Sequence, residues 1–155
     1  MRAPAMRTFS SKRVAPYRGT GYWEAVYAVP PLNELERRDW SAVFEWLNRH
    51  FPADGSKIAW ERVEGRHAHW RIADDQRLAA RASEEVRRRL RPGSVVEHVG
   101  DSLSPYGVCF ADENALAVVA ALLEIPEHHY FLAEDRSWIV VVTMEGDLDV
   151  LDRDR

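Results

Sequence analysis

Ser137-Trp138-Ile139-Val140-Val141-Val142-Thr143 is the stretch that decides the fold. Between its two hydroxyl ends every residue is β-branched or aromatic, the composition that fits a pleated surface. Side chains alternate along a strand, so Trp138, Val140 and Val142 point one way and Ile139 and Val141 the other. Neither side is polar. A strand that is apolar on both faces lies in the middle of a sheet covered above and below.

Reading outward, residues 128–133 predict the partner strand of a hairpin that turns at Glu134-Asp135-Arg136. After Glu145-Gly146, the residues Leu148, Val150 and Leu151 predict one last short strand with Asp147 and Asp149 outward. Upstream, Asp112 opens a helix over 113–123 that Pro126 ends. Leu116, Val118, Val119, Leu122 and Leu123 make it apolar on most sides, so it is expected to be the buried helix. Residues 95–99 and 106–110 predict two short strands around a turn at 101–105.

A second helix runs from Asp74 or Asp75 to Leu90, before Pro92-Gly93. Its apolar stripe is Leu78, Ala79, Ala82, Val86 and Leu90. The other positions include six arginines between Arg77 and Arg91, partly neutralised by Glu84 and Glu85, four residues ahead of Arg88 and Arg89. Residues 57–72 predict a hairpin turning near Glu64-Gly65, with Ala68, Trp70 and Ile72 on one face and His67, His69 and Arg71 on the other. Trp40, Val43, Phe44, Leu47 and Phe51 recur at helical spacing after a cap at Asn33 or Asp39 and stop at Pro52. Trp46 falls off that stripe and is expected under another layer. Residues 22–29, aromatic and β-branched and closed by Pro30-Pro31, predict the first strand.

Helix-then-hairpin thus recurs three times, which allows a threefold arrangement. Without residue-level self-similarity the plainer reading holds: an α+β domain over residues 21–152, with a mixed or antiparallel sheet and about three helices packed on it. Residues 1–20 carry five basic residues and no acid and are expected to form a flexible basic arm.

The 155 residues suffice for one domain with a sizeable core. Cys109 is the only cysteine, so no internal disulfide exists, a pattern that fits the cytoplasm; Val108 and Phe110 beside it predict a buried, inert thiol. No apolar run approaches the ~18 residues of a membrane span.

Charge is segregated along the chain. Residues 1–100 hold eighteen Lys or Arg against thirteen Asp or Glu, and residues 101–155 hold three against twelve. The acidic final third predicts a docking face for a basic protein partner, with Glu134, Asp135, Glu145, Asp147 and Asp149 as its contact residues.

Other chemistries find weaker support. His67 and His69 share a strand face, as metal ligands would, and His98 or His128-His129 could add a third ligand, but nothing in the spacing specifies one. No metal or cofactor is expected. The carboxylate row could hold Mg²⁺ in a hydrolase, yet no Lys follows Lys57 to complete a nuclease hairpin. The Arg-rich helix invites nucleic acid, against which stand Glu84, Glu85 and a pI near 5.9. A small metal-dependent hydrolase is therefore the alternative to a binding module, and a nucleic-acid-associated regulator the third reading.

The run from Tyr130 through Glu134-Asp135-Arg136-Ser137-Trp138 to Glu145-Gly146-Asp147 resembles the C-terminal sheets of small bacterial toxin-immunity proteins, in which an acid-bearing turn, a strand with Trp and a Gly-Asp turn recur. The resemblance implies a cytoplasmic, non-catalytic inhibitor that covers a toxin's active site. It assigns no residue roles.

Overall fold

The computed structural model describes residues 21–55 and 57–153. Four α-helices lie among them: α1 (Gly21–Tyr27), α2 (Trp40–His50), α3 (Asp75–Arg88) and α4 (Ala115–Leu122). Strands β1 (Glu36–Arg38), β4 (Arg66–Arg71), β5 (Val95–Gly100), β6 (Gly107–Ala111), β7 (His129–Ala133), β8 (Trp138–Val142) and β9 (Asp147–Asp152) make one antiparallel sheet in the order β1-β6-β5-β7-β8-β9-β4. A separate two-stranded ribbon pairs β2 (Ala53–Asp54) with β3 (Lys57–Ile58). The chain is a single α+β domain.

The quoted strand behaves as its alternation requires. All of β8 is buried. Trp138, Val140 and Val142 join Leu78, Ala82 and Val86 of α3 and Val118 and Leu122 of α4 in one core, whereas Ile139 and Val141 join Trp40, Val43, Phe44 and Leu47 of α2 in another. The sheet is therefore the middle of three layers. Each such side chain contributes about 1.5–3 kcal/mol by leaving water, which is what holds helices on both sides.

Local signals set the helix ends. The Asp39 carboxylate accepts from Ser41 N at 3.0 Å and the Asp74 carboxylate from Arg77 N at 2.9 Å, each satisfying an otherwise orphaned donor of a first turn. Trp46, expected under another layer, is half-buried: His50 of its own helix stacks on it at 4.5 Å, and the guanidinium groups of Arg136 and Arg153 lie 5.2 and 5.0 Å from its ring.

Several expectations are corrected. Residues 22–29 are mostly helical, because Trp23, Val26 and Tyr27 stand three and four residues apart and pack together on the α3–α4 core. That spacing outweighs β-propensity. Residues 57–72 do not form a hairpin: β3 returns to β2, a 3₁₀ turn at Trp60–Arg62 intervenes, and β4 crosses to the far edge to pair with β9. The hairpin that follows α2 is the short β2–β3 ribbon outside the seven-stranded sheet, so the three helix-then-hairpin units are not equivalent. The helix expected over 113–123 is α4 preceded by a 3₁₀ turn at Asp112–Asn114, and Leu116 on it is 48% exposed. Strand β1 has no apolar pattern to announce it; its three charged residues form a short edge. The basic arm expected over 1–20 lies outside the described residues.

Candidate functional site

The segregated charge of the sequence meets itself in the fold. Basic β4 lies against acidic β9 with Arg66 opposite Asp152, His69 opposite Asp149 and Arg71 opposite Asp147. Opposite charges facing across a pair stabilise it and like charges do not, so this register satisfies both strands. The acidic final third is in good part the electrostatic complement of the first hundred residues.

The five candidate contact carboxylates do not share one face. The turn before β8 carries Glu134 and Asp135, and the turn after it carries Glu145, so they occupy opposite ends of the sheet. Asp149, expected outward, is 3% exposed, and Asp147 is partly buried. Each of the five accepts from a donor in the chain: Glu134 from Arg38 at 3.2 Å, Asp135 from Ser137 N at 3.0 Å, Glu145 from Lys57 at 3.0 Å, Asp147 from Arg71 at 3.2 Å, and Asp149 from His67 at 2.8 Å and His69 at 2.9 Å. Lys57 holds the Glu145 carboxyl below its ordinary range. Glu134, Asp135 and Glu145 remain exposed to a partner.

What the sequence offered as rival ligand sets, the histidines and the carboxylates, converge at one place. His67 and His69 both donate to Oδ1 of Asp149, and His69 Nε2 lies 3.5 Å from Asp147 Oδ1. They line a cleft of about 240 Å³ beside the β2–β3 ribbon, with Trp60 stacked on His67 at 4.7 Å. The turn that closes it is tight: Gly146 has φ +96°, and a Cβ there would stand 2.8 Å from Ile72 O. Chemically the arrangement is a buried carboxylate satisfied by two imidazoles that clamp the edge strand. Among the described residues no three His, Cys, Asp or Glu side chains are grouped to hold a metal ion. No family model, no curated protein and no solved structure matches the chain.

Of the remaining histidines, His50 is exposed on α2, whereas His98, His128 and His129 are interior. His98 and His129 are fully buried, with His98 Nε2 2.9 Å from His129 Nδ1 and His129 Nε2 2.7 Å from Ile125 O. A carbonyl only accepts, so His129 carries its proton on Nε2 and accepts on Nδ1 from His98. His98 Nδ1 has no partner. Burial lowers the pKa of both rings, and each is held neutral. His128 Nδ1 accepts from Met144 N at 3.1 Å, tying the β8–β9 turn to the start of β7.

Besides Glu97, which Arg38 and Arg136 hold, two buried carboxylates escape sequence reading. Glu127 is 2% exposed and accepts from the backbone N–H groups of Ser102, Leu103 and Ser104 at 2.8, 2.5 and 3.1 Å, and from the Ser104 hydroxyl. It clasps the β5–β6 turn. Glu85, read as a surface neutraliser, is 1% exposed and receives Arg81 at 2.9 Å, Arg88 at 3.3 Å and Arg89 at 3.0 Å. Burial pushes its carboxyl up, but the hydrogen bonds from Arg81 and Arg89 outweigh that and hold it below the ordinary range. The only signal was position: both sit beside apolar residues of a helix or its end, Glu85 before Val86 and Glu127 after Ile125-Pro126.

The arginines of α3 are largely occupied. Arg87 pairs with Glu84, Arg89 bridges Glu85 and Asp152, and Arg81 lies over the Trp70 ring at 4.2 Å as well as on Glu85. Cys109 is buried beside Glu36; burial and that carboxylate push its thiol up to about 11, so it is inert at neutral pH. No helix among the described residues is long and apolar enough to cross a membrane.

Proposed function

We propose that the chain is a non-enzymatic protein-binding module of the bacterial immunity type, an acidic domain that covers a basic toxin in the cytoplasm. One observation carries the reading. Residues 21–155 hold 25 acidic against 16 basic residues, a net of −9, and many of those cations are already engaged by carboxylates of the chain: Arg38, Lys57, Arg71, Arg81, Arg87, Arg89 and Arg136 all lie in ion pairs. A surface left with excess carboxylate attracts a basic partner and repels acidic ones. Glu134, Asp135 and Glu145 are the proposed contacts among the original candidates, while Asp147 and Asp149 support the edge strand beneath them.

The test is co-expression with the product of the adjacent gene in a host that this product poisons. Restored growth and a one-to-one complex on gel filtration are expected. Glu134→Lys/Glu145→Lys should slow association at low salt and flatten its salt dependence. Continued poisoning with no complex overturns the reading.

A further inference from the structure

We propose that the groove between the first turns of α3 and the C-terminal end of α4 docks a partner segment with an apolar anchor flanked by Lys or Arg. The proposal rests on the reading of the chain as an acidic binding module and names the chemistry of what it binds.

The groove encloses about 670 Å³ and its lining includes Leu78, Leu123 and Ile125. Met144, 62% exposed, stands at the lip. Asp75 and Glu124, both exposed, form the rim, and among the described residues no Lys or Arg lines the groove. An apolar floor rewards an inserted Leu, Phe or Met side chain, and an acidic rim without cations draws positive charge to the mouth. Together they select a cationic amphipathic segment laid across a helix pair.

The opposite end of the sheet lacks this selectivity. There a cleft of about 790 Å³ has Arg66, Arg88 and Arg91 as well as Glu134 and Asp135 in its lining, so the two signs offset each other.

The groove is also pre-formed. Ile125 O is fixed by His129 Nε2, and Glu127, two residues on, is fixed by the backbone of 102–104. A held floor saves the ordering cost that a mobile one would add on binding.

The experiment is an NMR titration of the ¹⁵N-labelled full chain with three synthetic peptides: an amphipathic Leu/Lys peptide, a Ser/Lys peptide of equal charge, and a Leu/Glu peptide. The Leu/Lys peptide should bind and shift amides at 75–79, 120–125 and 144. The Ser/Lys peptide should bind about tenfold more weakly, and the Leu/Glu peptide not at all. Glu124→Lys and, separately, Met144→Lys should each weaken Leu/Lys binding about fivefold with an unchanged melting temperature, while Glu45→Lys on α2, across the sheet, leaves it unaltered. Equal affinity for the Ser/Lys and Leu/Lys peptides, shifts confined to other surfaces, or no binding overturns the inference. Groove binding of the Leu/Lys peptide without rescue by co-expression would instead count against the immunity reading and leave the groove standing.

Discussion

His98 and His129, thirty-one residues apart, share one proton-bearing contact of 2.9 Å in the core, and neither ring reaches water. Each is held neutral by burial, so the unfolded chain takes up protons near pH 6.5 that the folded chain refuses. Folded pKa values below the unfolded value mean that this stability is fully present above about pH 6.5 and is lost as pH falls below it. The slope should reach about 1.4 kcal/mol per pH unit for each histidine. Urea melts between pH 7.5 and 5.5 check it, and His98→Gln should roughly halve the slope. A flat profile over that range would mean that the pair is already protonated or wet.

Glu127 and Gly100 make a coupled pair. A Cβ on Gly100 would occupy the space of the Glu127 carboxylate, which in turn satisfies three N–H groups of the β5–β6 turn. Glu127→Ala should cost roughly 3 kcal/mol through those donors, and Gly100→Ala about 2 kcal/mol through displacement of the carboxylate. The double variant should cost less than the sum by about 1 kcal/mol, since the second change finds the contact already gone. Strict additivity in a denaturant-melt cycle would show that the two act separately.

The covered sheet predicts symmetric sensitivity. Trp138→Ala should cost roughly 3–5 kcal/mol on the α3–α4 side. Val141→Ala, on the α2 side, should cost a smaller but core-like ~1–2.5 kcal/mol. Arg88, 56% exposed and one of three arginines on Glu85, should tolerate alanine within about 0.5 kcal/mol. A near-neutral Val141→Ala would require one face of β8 to be wet.

Removing Glu85 should differ from removing any one of its arginines. Glu85→Ala takes from Arg81 and Arg89 their shared buried acceptor, a loss of about 2–4 kcal/mol. Because the native carboxyl is held below its ordinary value, its contribution is present near neutral pH and fades as pH falls through the acid range below about 4.5. Acid melts of the native chain and of Glu85→Gln separate this loss from the histidine step at higher pH.

The legible part of the fold was local. Alternation along 138–142, helical spacing from Trp40 to Phe51, and the Asp39 and Asp74 caps each involve residues within one turn or one strand, where covalent geometry alone sets which side chains share a face. The same logic misread 22–29, because aromatic and β-branched residues also sit at helical spacing there and only contact with the α3–α4 core decides between the two periods.

What the amino-acid order determined by itself was the central strand, three of the four helices among the described residues, the buried thiol and the segregation of charge. Tertiary structure alone decided what that charge does. Nothing within 66–71 or 147–152 reveals that these segments will lie side by side; the pairing of Arg71 with Asp147 or His67 with Asp149 spans some eighty residues and exists only because β4 closes the sheet at the β9 edge. No motif around Glu85, Glu127, His98 or His129 in the chain announces burial, and they become buried partners once helices and turns bring their hydrogen-bonding groups within 3.3 Å. Burial is a property of packing, and the electrostatics of these groups follow from burial, so neither could be read before the layers were assembled.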